Sequence, residues 1–165
     1  MRRIIGIDPG SRITGIGVIE TDGQRMQHVF STCLRLGERP LPERLGMIYN
    51  GIADVIRTYA PDEMSVENVF LSNNAASALK LGQARGAAIC AGITLYVPVY
   101  EYTAKQVKQA TVGKGAADKT QVQHMIKVLL NLQGKMQADT ADALAVAICH
   151  ANFSHLTSRI AGASR

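Results

Sequence analysis

The stretch GIDPGSRITGIGVIE, residues 6–20, decides the fold. An apolar run, Ile4-Ile5-Gly6-Ile7, reaches Asp8 and stops at once on Pro9-Gly10. A second apolar run leaves from Ile13. Pro, Gly and Ser between the two runs are turn residues, so residues 3–8 and 13–20 are expected to pair as a hairpin. The odd feature is Asp8, a carboxylate at the end of a strand that looks buried.

Working outward, residues 28–36 read as a third strand. Pro42 opens a helix in which Leu45, Ile48, Ile52, Val55, Ile56 and Tyr59 recur at spacings of three and four, and Pro61 closes it. Met64 and Val66 alternate into a short strand ending at Glu67. Helices are expected over 74–91, 118–132 and from about 138 to 151, with a fifth strand at 96–100. Asp118 and Gln121 form a capping box for the second of these helices. An antiparallel start followed by alternating strands and helices predicts an α/β fold. Its five-stranded sheet would be mixed, with strands 1, 4 and 5 parallel and helices on both faces.

The chain has 165 residues, enough for one domain with a core that needs no disulfides. Residues 1–152 are expected to form it, with 153–165 a frayed tail. Cys33, Cys90 and Cys149 are odd in number and widely spaced, which suits a reducing compartment and excludes a zinc ribbon. No apolar run approaches the ~18 residues of a membrane span, and no signal-peptide core follows the N-terminus. A cytoplasmic protein is expected. The formal charge is +5, and six lysines (105, 108, 114, 119, 127, 135) stand against two acids between Tyr100 and Lys135. That segment suits either a polyanion partner or a solvated basic face.

Two strands end in acids, Asp8 and Glu67, and sites in such sheets gather at the carboxyl ends of parallel strands. Asp139 and Asp142, three apart, share a face at the start of the very apolar last helix. Singly, each acid has a plain explanation: an Asx-turn for Asp8, a surface charge for Glu67, the helix dipole for the two aspartates. Brought together they would repel, and divalent cations would relieve this. An all-oxygen set favours Mg²⁺ or Mn²⁺ over Zn²⁺. An acidic metal cluster in a basic protein suggests a phosphodiester substrate.

The segments GIDPGSRITGIGVI, VENVF, NNAASALKLGQARG, VKQATVGKGAADKTQVQHM and QADTADALAVAI occur in the order of, and together resemble, the RuvC family of bacterial Holliday-junction resolvases. The resemblance runs to about residue 152. It implies a ribonuclease-H-like fold and a homodimeric endonuclease that nicks opposed strands of a four-way DNA junction. Two Mg²⁺ per site are implied, with Mn²⁺ as substitute, and partnership with the RuvA-RuvB branch-migration complex. The family's catalytic and metal-binding acids map onto Asp8, Glu67, Asp139 and Asp142. In the roles expected here, Asp8 bridges both metals, Glu67 serves the leaving-group side, and Asp139 and Asp142 serve the attacking water. Lys108 and Lys119 match basic positions near the scissile phosphate, and Phe70 a base-stacking position.

Lys105 and Lys114 join Lys108 and Lys119 as candidate DNA contacts, while Lys127 suits a more distant phosphate and Lys135 plain solvation. By composition alone Phe70 suits the core. The small ridge Ala78, Gly82, Gly86, Cys90 permits close packing, either on the chain's own sheet or against a second copy; the resemblance favours the second copy. Three rivals remain in view. An actin-like ATPase shares the first loop but needs far more chain. A junction-binding architectural protein has no use for four acids. A nuclease acting on RNA or hybrid would share fold and metals.

Overall fold

The computed structural model describes residues 1–68 and 74–163, and side chains through residue 154. Five strands form one sheet: β1 (Arg2–Asp8), β2 (Ile13–Thr21), β3 (Met26–Arg35), β4 (Glu63–Asn68) and β5 (Val99–Thr103), in the order β3-β2-β1-β4-β5. β1 pairs antiparallel with β2 and parallel with β4, and β4 pairs parallel with β5. This is the expected mixed sheet.

Side-chain alternation divides the molecule into two layers. Ile5, Ile7, Ile16, Val18, Met64 and Val66 face one way, into a core made with α1 (Leu41–Tyr59) and α2 (Ala75–Thr94). Ile4 and Ile19 face the other way, where α3 (Ala104–Val112), α4 (Lys119–Leu130) and α5 (Ala138–Ala163) complete a second core. Each fully buried branched side chain contributes about 1.5–3 kcal/mol, and Ile4, Ile5, Ile7, Ile16 and Ile19 are all fully buried.

On the α5 side the sheet is paved with glycine. Gly6 and Gly17 are paired across β1 and β2, and Gly15 is paired with Asp8. A Cβ on Gly6 would lie 2.2 Å from the Ala143 carbonyl oxygen, and one on Gly15 2.0 Å from that of Asp139. The helix backbone therefore rests directly on the strands, which is why α5 is built of alanine there. The Ser65 hydroxyl adds a buried hydrogen bond to the Val146 carbonyl at 3.2 Å.

Three elements differ from expectation. β5 begins at Val99, not at residue 96, because Leu95–Val97 form the turn that closes α2: the Tyr96 amide donates to the Ile93 carbonyl and the Val97 amide to that of Gly92. Tyr96 sits there with a φ of 59° and 94% exposed. α3 is additional to the expected elements; Thr103 and Gln106 cap it reciprocally, and Gly113 ends it in the left-handed conformation. α5 continues past residue 151 to Ala163. Among the described residues, no helix is long and apolar enough to cross a membrane.

Candidate active site

The β1–β4 register sets the centre of the site. Ile7 pairs with Val66, so the next residues, Asp8 and Glu67, stand side by side at the carboxyl ends of adjacent parallel strands, with β4 running one residue further than expected, to Asn68. Both belong to the alternation set of Gly6 and Ser65 and therefore face α5. α5 enters over Gly15, the partner of Asp8, and carries its own acids to the same strand ends.

Asp8, Glu67 and Asp142 line one cavity of about 300 Å³ together with Lys108, Lys119 and an apolar wall of Ala104, Val107, Val122 and Ala145. Lys108 comes from α3. Lys119 is the first residue of α4, whose start is fixed by a capping box between Asp118 and Gln121. A cation there is opposed by the helix dipole; Asp142 compensates, with Lys119 Nζ 3.3 Å from its Oδ2. That carboxylate, first through its charge and then through the hydrogen bond, raises the Lys119 pKa.

Burial and then the neighbouring Glu67 push Asp8 up to about 9, and Asp142 and Asp139 push in the same direction. Glu67 is also raised, chiefly by burial, while its hydrogen bond from Asp8 and the charges of Lys119 and Lys108 pull against the shift. Asp8 thus holds a proton and donates it to Glu67, the ordinary outcome when two carboxylates must share a desolvated site.

Of the four acids expected to meet, three line the cavity. Asp139, one turn earlier on α5, lies beside it and reaches Asp8 through its charge. Among the described residues, no three acidic, histidine or cysteine side chains stand together as a ready metal cage. Asp142 is drawn to Lys119 and Asp8 is protonated. The donor set itself suits a hard divalent cation: oxygen ligands only, too many negative charges for a buried site, and a proton that a cation would displace.

Lys105 and Lys114 are exposed and lie off the cavity; the Lys105 stem passes over Gly115, whose Cβ would meet its Cγ at 3.0 Å. Phe70 lies outside the described residues. Sequence reasoning missed a polar cluster at the opposite end of β4. Buried His150 has Nδ1 2.7 Å from the Tyr102 hydroxyl and Nε2 2.9 Å from Glu63, and Arg2 reaches Glu63 at 3.3 Å. The sequence offered little signal for it beyond a lone histidine on an apolar helix.

The profile of the family described as crossover junction endodeoxyribonuclease RuvC matches residues 4–150. The chain belongs to the RuvC family. The RuvC protein of Geotalea uraniireducens is 60% identical over 156 residues, covering 94% of this chain and 91% of that protein. That of Aliivibrio salmonicida is 54% identical over 162 residues, covering 98% of this chain and 94% of that protein. RuvC of T. thermophilus, solved in complex with Holliday junction substrate, superposes with a TM-score of 0.91 at 32% identity and covers 96% of this chain and 98% of that one. The mixed sheet is thus the ribonuclease-H-like sheet of RuvC, and the chain is an endodeoxyribonuclease, a hydrolase of DNA phosphodiesters.

Proposed function

We propose that this RuvC-family chain resolves four-way DNA junctions by paired, symmetric nicks, with Asp8, Glu67, Asp139 and Asp142 as its catalytic acids. The observation that carries this reading is the single cavity shared by Asp8, Glu67, Asp142, Lys108 and Lys119. Oxygen ligands at its floor and lysines at its rim suit a phosphodiester held over divalent cations. Mg²⁺ is the cation of choice, two per site, with Mn²⁺ as substitute. When bound, such cations polarise the phosphoryl oxygens and supply both the water side and the leaving-group side of the displacement.

In this reading the protein groups divide the work by position. Asp8, central on the sheet, would hold the cations. Glu67 would serve the leaving-group side, and Asp139 with Asp142 the water side. Lys119, already paired with Asp142, and Lys108 balance the negative charge that develops on the phosphoryl oxygens. Lys105 and Lys114 lie further out along the backbone path. Phe70 stacks on a base near the crossover, an interaction worth about 1–3 kcal/mol. Residues 1–152 form the single nuclease domain, acting in the cytoplasm, where the three free thiols stay reduced.

Two nicks related by symmetry need two sites related by a two-fold axis, so the working unit is a homodimer. α2 supplies the face. Its buried side is Ala84, Ala88, Ala91 and Gly92, and its ridge of Ala78, Gly82 and Cys90 is exposed. Nothing lies within 4 Å of a Cβ placed on Gly82 or Gly86, so the ridge does not pack on the chain's own sheet. RuvA and RuvB are the proposed partners at the junction.

The test compares wild type with Asp8→Asn on a synthetic four-way junction and on linear duplex, binding in EDTA and cutting in Mg²⁺. Paired nicks by wild type, and binding without cutting by the variant, are expected. Cutting by Asp8→Asn at the wild-type rate would sink the assignment, and equal cutting of duplex would sink the junction.

A further inference from the structure

A second groove, of about 470 Å³, opens between the edge strand β3 and the segment that joins α4 to α5. Three cations line it, and no carboxylate does: Arg35 from β3, Lys127 from the last turn of α4, and Lys135 from the connecting loop. Its rim carries neutral donors and acceptors, among them Thr32, Gln137 and Thr140. Gln137 is held in place, its Oε1 accepting from the Arg35 guanidinium at 3.3 Å and from Cys33 Sγ at 2.8 Å. This is a polar, cationic trough, unlike an apolar docking face.

Its position relative to the cavity is set by the first turns of α5. Gln137 and Thr140 belong to the groove, and Asp142 belongs to the catalytic cavity. Gln137, the residue just before α5, whose carbonyl accepts from the Ala141 amide, and Asp142 are five residues apart, about 7.5 Å at a helix's 1.5 Å per residue. A strand of DNA carries a phosphate about every 3.4 Å of axial length. A duplex arm leaving the cavity toward β3 would therefore set phosphates over the groove within a few nucleotides of the cut.

We infer that the groove bounded by Arg35, Lys127 and Lys135 is a second phosphate-binding site, holding the backbone of the junction arm that leaves the catalytic cavity toward β3. The inference rests on the reading of the substrate as junction DNA. It revises the sequence expectation for Lys135, assigned there to plain solvation. It also gives Lys127 its more distant phosphate.

The test is the salt dependence of junction binding in EDTA, for wild type and for the triple variant Arg35→Gln, Lys127→Gln, Lys135→Gln. Each lost phosphate contact lowers the slope of log K against log salt by about 0.9, so a slope shallower by roughly 2–3 is expected. The melting temperature should stay near that of wild type, since Arg35 and Lys135 are exposed and Lys127 is only partly covered. Junctions bearing neutral methylphosphonates at successive positions beside the cut provide the second arm. Wild type should lose slope at one short run of positions where the triple variant loses none. An unchanged slope in the triple variant overturns the inference, as does a methylphosphonate effect of equal size in both proteins. If wild type itself fails to bind the junction, the substrate reading fails first and the inference falls with it; that result appears before any variant is compared.

Discussion

Removing the charge of Asp8 should stabilise the fold even as it abolishes cutting. The unfolded chain loses the Asp8 proton near 3.8, and the folded chain keeps it to about 9. Between those values the folded state binds a proton that the unfolded state has released, so stability falls as pH rises. At pH 7 the interval above 3.8 is roughly three units, and at 1.36 kcal/mol per unit it costs about 4 kcal/mol as an upper figure. Sharing of the proton with Glu67 and partial solvent access reduce it, to on the order of 2–4 kcal/mol.

Asparagine has the same shape, carries no charge at any pH, and can still donate to Glu67. Urea unfolding in EDTA should therefore show Asp8→Asn more stable than wild type by a few kcal/mol at pH 7–8. The gap should close as the pH is lowered through 3.8, below which wild-type Asp8 is protonated in both states. Adding Mg²⁺ should stabilise wild type and leave the variant nearly unmoved. A variant less stable than wild type at pH 8 in EDTA, or a gap that does not change with pH, would refute the argument that Asp8 is a charge held at the fold's expense.

Other outcomes follow from the packing. Gly15→Ala should cost on the order of 3 kcal/mol or more, because the new methyl meets the Asp139 carbonyl of α5, which as backbone cannot swing aside, and it should also depress cutting by displacing the start of α5; Gly46→Ala, with nothing within 4 Å, is the control expected to be neutral or slightly stabilising. Gly82→Glu should leave the monomer folded, since a side chain there meets nothing, yet shift sedimentation from dimer to monomer. Burial, set against the pull of Glu63, lowers the His150 pKa below its usual 6.5, so its contribution is complete above that value and is lost as pH falls through it. Asp8 imposes the opposite slope, so the comparison is between Asp8→Asn and Asp8→Asn with His150→Gln: urea stability between pH 7.5 and 5.5 should fall more steeply with acid in the first.

Much of this was legible in the sequence, for reasons that can be named. Two apolar runs joined by Pro-Gly, and acids closing the first and fourth strands, identify the sheet and its active edge. Helices with strong periodicity, such as α1, emerge within a residue or two. α3 did not, although Thr103 and Gln106 stand in the same reciprocal spacing as Asp118 and Gln121. The capping signal is present, but the helix it starts has only nine residues before Gly113, too few for a clear apolar period. β5 is expected from residue 96 because apolar Tyr96 and Val97 read as strand, yet it begins at Val99. Their backbone amides were already committed to closing α2. The cationic groove was not legible at all: Arg35 and Lys135 are a hundred residues apart and meet only when β3 becomes the edge beside the α4–α5 loop.

The glycines show how local pattern and global packing meet. Read along β1, Ile4-Ile5-Gly6-Ile7-Asp8 is simply an apolar strand. Read by alternation, Ile5 and Ile7 point to α1 and α2, and Ile4, Gly6 and Asp8 point to α5. A slip of one residue in register would bury Asp8 against α1 and α2 and lift α5 off the sheet on isoleucine side chains. Fold and site are therefore held by one constraint. The absence of a side chain at Gly6, Gly15 and Gly17 lets α5 lie close enough for Asp142 to reach the cavity of Asp8 and Glu67. Any substitution that raises the helix should impair the site before it unfolds the protein.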